Sequence, residues 1–389
     1  MKTLFNGRVI TPYGVVPNSG LVVKGKTITR VFTGGDFEKT GELIDCRGNY
    51  ISPGFIDIHL HGGGGVDVMD GTAQAIETIA CTHARFGTTS FLPSTLSSSR
   101  DKVLKALDAI HAARIKRVKG ANILGAHLEG NYFSMKQKGA QNPAYIIPPV
   151  KEEYEEILAR TGDIRMVSCA PEIKGGLAFA RDLSSRGILM SVAHSDATYE
   201  EFEQAMEAGF SHVTHIYNGN SWLTSPYYYC RIGVCEAALL MDNVTVEVIA
   251  DGKHLPPKLL ELIYKIKGAD RMNLCTDAIR AAAMPEGEYE LGGLPIVVED
   301  GVGVLMDRSS FAGSVCTGDR AVRTMVQEAN VPVVDAVKMM SATPARLIGV
   351  YGEKGSLAEG KDADINIFDD NINILGTLIE GEFFNKPVL

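Results

Sequence analysis

The sequence predicts an α/β protein, a (β/α)8 TIM-like barrel joined to a small β domain, and three observations predict it. Eight short apolar, strand-like runs alternate with helical segments through the middle of the chain. Both ends instead carry the alternating apolar and polar texture of hairpins. Five of the strand-like segments run out onto a residue of metal-ligand type, as expected where the C-terminal ends of barrel strands share one mouth.

Taken in order, residues 1 to about 50 alternate around turn signals, and 21–31 reads as a hairpin. The run 54–61 reads as the first barrel strand, on which His59 and His61, two residues apart, project to the same side. Further strand-like runs cover 88–92, 122–128, 164–168, 188–193, 212–215, 244–250 and 273–276. Between them, 73–86, 101–118, 154–160 and 200–208 have helical spacing and helix-forming composition. A turn followed by a strand at 355–368 returns to the β texture, so the two ends are expected to pair in one sheet. That divides the chain into a small domain of 1–52 plus 345–389 and a barrel of 53–344. Two poorly patterned stretches, 130–149 and 219–233, follow strand ends and are expected to be active-site loops.

At 389 residues, 45% hydrophobic and 22% charged, the chain has the composition of a soluble globular protein with a sizeable core. No apolar run approaches the roughly 18 residues of a membrane span, and the N-terminus lacks the apolar stretch of a signal peptide. Seven scattered cysteines without a CxxC pair suit reduced thiols, so a cytoplasmic protein with no membrane partner is expected. A net charge of −9 argues against a nucleic-acid partner but leaves room for a small anionic substrate where basic residues converge.

The nine histidines separate by position. His83 and His111 lie in helical patterns, and His127 and His212 precede the terminal positions of their strands; all four read as structural. His59, His61, His194 and His215 each end a strand-like run and read as ligands. Glu129 ends the run 122–128, where a core strand does not place a carboxylate unless something neutralises it, and a divalent ion does so. Glu129, His194 and His215 with a water complete one zinc-type site. His59 and His61 then either hold a second ion, with Glu129 shared, or position the water of a single one. Zinc suits the donor set, and Fe²⁺ or another divalent ion is also admitted. Asp277 ends the last barrel run; an N-cap is the bland alternative, but a place at the mouth favours catalysis. The run Gly62-Gly63-Gly64-Gly65 lacks the Lys-Ser/Thr of a phosphate loop and reads as a sharp backbone turn.

Pro53-Gly54-Phe55-Ile56-Asp57-Ile58-His59-Leu60-His61-Gly62 resembles the first-strand signature of the amidohydrolase superfamily. More narrowly, His127-Leu128-Glu129-Gly130, Lys138-Gly139-Ala140-Gln141-Asn142-Pro143, Ala170-Pro171-Glu172, His194-Ser195-Asp196-Ala197-Thr198, Thr214-His215-Ile216-Tyr217-Asn218, Ala250-Asp251-Gly252-Lys253-His254, Thr276-Asp277-Ala278 and Ala312-Gly313-Ser314 resemble, in order, the N-acetylglucosamine-6-phosphate deacetylase family. The resemblance implies that Glu129, His194 and His215 are metal ligands and Asp277 the acid/base residue. It places Ala140, Gln141, Asn218, Gly219, Arg231, His254 and Phe311, Ala312 and Gly313 at substrate-binding positions. It further implies a small β-sandwich beside the barrel and a homodimer in which Arg231 reaches the sugar phosphate of the neighbouring subunit. Gln141 departs from the histidine of many members, and Gly130-Asn131 from a usual Gly-Pro.

The activity so implied is hydrolysis of N-acetyl-D-glucosamine 6-phosphate to the amino sugar phosphate and acetate, with the galacto epimer as the alternative substrate. Asp277 would relay the water's proton to the leaving nitrogen, and His254 would orient the substrate and stabilise the oxyanion. Other amidohydrolases, such as cyclic amidases and base deaminases, often bridge two ions with a carboxylated lysine, but no lysine ends a core strand here. A catalytically silent scaffold would be expected to have lost ligands that this chain keeps.

Overall fold

The computed structural model describes residues 1–35, 37, 40–225 and 228–387. Residues 36, 38, 39, 388 and 389 of the expected small domain, and Pro226 and Tyr227 of the expected loop at 219–233, lie outside the described residues. The chain opens with β1 (Lys2–Thr11), β2 (Gly14–Lys24), β3 (Thr27–Thr33), β4 (Glu42–Asp45) and β5 (Tyr50–Pro53). After β6 (Phe55–Leu60) come a two-residue ladder of β7 (Gly62–Gly63) and β8 (Val66–Asp67), α1 (Ala73–Ala84), β9 (Thr88–Pro93), α2 (Arg100–Lys116), β10 (Asn122–Ile123) and β11 (Ala126–Glu129). The alternation continues as α3 (Lys151–Arg160), β12 (Ile164–Cys169), α4 (Gly176–Ser185), β13 (Leu189–Val192), α5 (Tyr199–Glu207), β14 (Phe210–Val213), α6 (Val234–Leu240), β15 (Thr245–Ile249), α7 (Pro257–Lys267) and β16 (Met272–Cys275). Four strands follow, β17 (Gly287–Leu291), β18 (Leu294–Glu299), β19 (Val302–Leu305) and β20 (Phe311–Ser314), then α8 (Gly318–Gln327), α9 (Val333–Met339) and α10 (Ala342–Leu347). β21 (Ile365–Phe368), β22 (Ile374–Ile379) and β23 (Glu382–Asn385) close the chain.

The middle strands pair in parallel. β9 lies between β6 and β10, and β11 to β16 run side by side in sequence order. Parallel bridges Ser94–His127 and Leu60–Ala278 join the two groups at their strand ends. Every residue of β6, β9 and β11 is buried, which is why these segments read as near-continuous apolar runs: a parallel sheet is covered on both faces. The helices between them start on local signals. Thr198 caps α5 by accepting from the Glu201 N–H while the Glu201 carboxylate accepts from the Thr198 N–H, and Phe202 and Ala205 turn inward. The single run expected at 122–128 is broken into β10 and β11 at Gly125. Its φ is +152°, and a Cβ there would meet Arg165 Cγ and the Asp163 carbonyl at 2.4 Å.

The two ends of the chain do share a sheet, in the order β23-β22-β21-β5-β1-β2-β3 with β4 beside β1. β21 runs antiparallel to β5, with Ile367 opposite Ile51, and Leu4, Val9, Leu21, Ile28, Ile365 and Leu378 fill the core beneath. Each such aliphatic side chain contributes about 1.5–3 kcal/mol on burial. One element was not expected: within the segment assigned to strand–helix alternation, β17–β20 form an antiparallel four-stranded meander. Gly292-Gly293 joins two alternating strands as a hairpin. The meander's inner face, Leu291, Ile296, Val298 and Leu305, packs on Leu96, Ile279 and Ala281 above the strand ends.

Candidate metal centre and active site

Three side chains reach the centre from the same backbone device. His194, His215 and Asp277 each lie two residues beyond the last residue of their strand, Val192, Val213 and Cys275 respectively. Each takes a left-handed backbone, with φ of 46°, 29° and 46°. Positive φ in a non-glycine residue costs about 1–3 kcal/mol and is held only where the surroundings over-determine it. At Asp277 they do: its N–H donates to the His59 carbonyl and its carbonyl accepts from the Ser314 N–H, both at 2.9 Å. His59, on β6, and Glu129, the last residue of β11, arrive from regular strand.

Glu129 is the hub. Its Oε1 lies 3.2 Å from His215 Nε2 and 3.5 Å from His194 Nε2. Its Oε2 lies 3.2 Å from His61 Nε2 and 3.5 Å from His59 Nε2. One carboxylate thus offers one oxygen to each histidine pair. His59 Nε2 and His61 Nε2 are themselves 3.2 Å apart, and Asp277 Oδ1 stands 3.1 Å from His61 Nε2 and 3.7 Å from His59 Nε2. All six side chains are buried.

These separations fit divalent ions. Donors about 2.0–2.2 Å from a tetrahedral ion sit roughly 3.4 Å from one another. Two separate groups of three donors each lie close enough together to share an ion, Glu129 with His194 and His215, and His59 with His61 and Asp277. The remote ring nitrogens support the same reading. His59 Nδ1 donates to Glu247 Oε1 at 2.8 Å, His61 Nδ1 to the Ser94 carbonyl at 3.2 Å and His194 Nδ1 to the Gln137 carbonyl at 2.8 Å. A proton fixed on Nδ1 leaves the Nε2 lone pair free for a metal. With no ion between them, burial opposes ionisation of Glu129, yet the charge of His59 and hydrogen bonds from Nε2 of His194 and His215 hold its carboxyl well below the ordinary range. Asp277, also buried, is lowered by its bond to His61.

A cavity of about 590 Å³ opens over this cluster, with His61, Glu129, His194, His215 and Asp277 among the residues lining it. Ala140, Gln141, Asn218, Gly219, His254, Phe311 and Gly313 line it as well. Gly219, at φ +61°, lets the backbone pass so near His194 that a Cβ would sit 2.6 Å from its Nδ1. His254 Nδ1 donates to Asp251 Oδ2 at 2.8 Å, and its ring packs 4.6 Å from that of Phe311. Gln141 is tied to the cluster itself: its Nε2 donates to Glu129 Oε2 at 3.3 Å and its Oε1 accepts from the Ser97 N–H at 2.9 Å.

Two substrate-binding positions named from the sequence are not in the cavity wall, and His59 lies fully buried behind it. Ala312 alternates away from Phe311 and Gly313 on β20 and turns into the core of the meander. Arg231 lies on an exposed bridge, its backbone paired with Thr224, and does not reach the cavity of its own chain. The four histidines read as structural are so placed. His127 bonds Ser94 and Ser168, His111 bonds Asp163, His212 bonds Thr245, and His83 Nε2 bonds the Gly62 carbonyl.

Several site residues went unread in the sequence. Glu247, fully buried on β15, holds His59, and its signal was a carboxylate inside the apolar run Val246-Glu247-Val248. Asp57 accepts from Thr276 Oγ1 at 2.6 Å and ties β6 to β16; burial pushes its carboxyl up to about 7. Arg308 and Leu291, from the unexpected meander, complete one wall of the cavity, and Trp222 another.

The Amidohydrolase family matches residues 50–385 of the chain. N-acetylglucosamine-6-phosphate deacetylase from Lysinibacillus sphaericus is 36% identical over 87% of each chain. N-acetylgalactosamine-6-phosphate deacetylase from Escherichia coli O157:H7 is 34% identical over 85% of this chain and 87% of its own. Among solved structures, N-acetylglucosamine-6-phosphate deacetylase from Pasteurella multocida superposes with a TM-score of 0.92 at 30% identity, covering 98% of this chain and 99% of its own. With strand-end histidines and carboxylates converging below one cavity and similarity along nearly its whole length, the chain belongs to the amidohydrolase family.

Proposed function

We propose that the chain hydrolyses N-acetyl-D-glucosamine 6-phosphate to D-glucosamine 6-phosphate and acetate, as a cytoplasmic enzyme of amino-sugar breakdown and recycling. The observation that carries this is Asp277 beside the Glu129–histidine cluster on the floor of the cavity, in a chain similar along its length to such deacetylases. The similarity to an N-acetylgalactosamine-6-phosphate deacetylase supports the galacto epimer as the second reading. Seven free cysteines suit a reducing compartment, and no helix among the described residues is long and apolar enough to cross a membrane.

On this reading Glu129, His194 and His215 would hold a divalent ion, and His59 and His61 would hold a second or position the water of a single one. Zn²⁺ suits the nitrogen and carboxylate donors, and Fe²⁺ is compatible with them. Such an ion supplies Lewis acidity, lowering the pKa of water from about 16 towards about 7 and polarising the amide carbonyl. Asp277 takes the proton of the attacking water and returns it to the leaving nitrogen, which avoids expelling an amine anion; such a relay contributes about 10²- to 10⁴-fold. His254, its Nδ1 held by Asp251, orients the substrate and stabilises the oxyanion through its other nitrogen. Asn218 and Gly219 bind the phosphate from within the chain; Ala140, Phe311 and Gly313 shape the sugar site, Ala312 contributing backbone only, and Gln141 orients Glu129 beside it.

Arg231 reaches the phosphate of the neighbouring subunit in a homodimer, where a guanidinium matches phosphate geometry. Trp222, Leu223, Tyr229 and Ile232, all exposed on the same segment, support a second copy covering it. The parallel strands and the bridges between their two groups support one closed (β/α)8 barrel over 53–344. The sheet shared by 1–52 and 345–389 forms the small β-sandwich.

The test is acetate release from the two epimeric N-acetylhexosamine 6-phosphates, using protein of measured metal content. Turnover of the gluco compound, lost on chelation and restored by the ion, is expected; no turnover of either compound overturns the reading.

A further inference from the structure

We propose that Glu247 is the positioning residue of the metal centre, one buried carboxylate that fixes a ligand from each histidine pair. Its Oε1 accepts from His59 Nδ1 at 2.8 Å and from the His215 backbone N–H at 3.3 Å. Its Oε2 accepts from Asn273 Nδ2 at 3.3 Å, and His212 Nε2 stands off at 3.8 Å. Glu247 has no solvent exposure and sits between Val246 and Val248 on β15, so a charge there is sustained only by these donors.

The two bonds of Oε1 act differently. The bond to His59 sets which ring nitrogen carries the proton, turns Nε2 towards His61 and Glu129, and raises the basicity of that Nε2. The bond to the His215 N–H holds the peptide just where the backbone enters its left-handed turn, and so sets the direction in which the His215 ring leaves β14. Glu129 joins the two pairs from the cavity side and Glu247 joins them from beneath. A carboxylate retained only for packing would have no reason to spend one oxygen on a ligand from each pair.

The inference rests on His59 and His61 binding an ion. Glu247→Gln keeps the shape and an acceptor oxygen but removes the charge; Glu247→Asp keeps the charge but withdraws the oxygens, and serves if the first variant fails to fold. Wild type, both variants and His61→Ala are loaded with Zn²⁺, their stoichiometry is measured by elemental analysis, and each ion's Kd is measured by chelator competition. Cobalt(II) absorption spectra provide a second readout, and melting of the apoproteins checks the fold. The expected result is two ions in wild type and, in the Glu247 variants, an ion at the His59–His61 pair held about 10- to 100-fold more weakly with apoprotein melting unchanged. Wild-type affinity for both ions, with an unaltered cobalt spectrum, in either folded variant overturns the role of Glu247 alone. A single ion in wild type, unaffected by His61→Ala, overturns the ion site on which it rests.

Discussion

The carboxylate of Asp277 stands 3.1 Å from Nε2 of His61, close enough to hydrogen-bond the ring or to share an ion with it. The same residue is pinned through its own N–H to the His59 carbonyl, so it has little freedom to move away. Asp277→Asn preserves the shape and the backbone bonds but removes the proton acceptor. Acetate release should fall by about 10²- to 10⁴-fold in kcat, while the ion at Glu129, His194 and His215 is retained by elemental analysis. Near-wild-type turnover would remove Asp277 from the proton relay.

The division of Glu129 between two histidine pairs makes metal loss selective. His194→Ala removes a donor of the Oε1 side, and His61→Ala removes one of the Oε2 side. Each variant should lose about one equivalent of metal and keep the other, since the two oxygens of Glu129 face different histidine pairs. Loss of all metal from His61→Ala would show the two positions to be inseparable.

Arg231 cannot serve the cavity of its own chain in the observed position, which makes complementation the informative test. Arg231→Ala should raise KM for the phosphorylated sugar with a smaller effect on an unphosphorylated one. Refolding Arg231→Ala together with Asp277→Asn should restore about a quarter of wild-type turnover at a substrate concentration that saturates wild type but lies far below the KM of Arg231→Ala, because a mixed dimer has one site with Asp277 and a borrowed Arg231. A mixture no more active than the sum of its parts would place Arg231 outside the neighbouring site.

Lys267 gives a pH signature of stability away from the chemistry. Its Nζ donates to the Ala238 and Met241 carbonyls at 2.9 and 2.8 Å, at the C-terminal end of α6, and burial with nearby Arg271 lowers it from 10.5 to about 8. Between those values the unfolded chain binds the extra proton, so this group adds stability as pH rises from about 8 to about 10.5 and adds none below. Denaturant titrations at pH 7.5 and 10 should show stability rising more steeply with pH in wild type than in Lys267→Met; parallel slopes would show that Lys267 is not shifted.

The alternation of strand and helix was legible because parallel strands covered on both faces leave long apolar runs, and those of β6, β9 and β12 fall within two residues of the expected bounds. The side chains that converge at the centre were legible because polar residues at strand ends have no packing reason to be there. Three features were not. The meander of β17–β20 lies where alternation with helices was expected, and its weak half-exposed pattern was lost against the stronger signals around it. Glu247 and Asp57 look in sequence like isolated charges within strands, and only the fold shows that their partners are His59 and Thr276. Gln141 lines the cavity, but its hydrogen bonds to Glu129 and Ser97 are contacts that spacing does not encode.

The left-handed turns at His194, His215 and Asp277 set the chain's chemistry against its own durability. At each position asparagine or glycine would sit more comfortably, and the relief of about 1–3 kcal/mol apiece is comparable with a large share of a domain's net stability. A lineage released from the need to turn over substrate would therefore drift towards a hardier, inert protein by its easiest substitutions. In this chain the three positions instead present His194, His215 and Asp277 to the cavity, at a cost in stability that the fold carries.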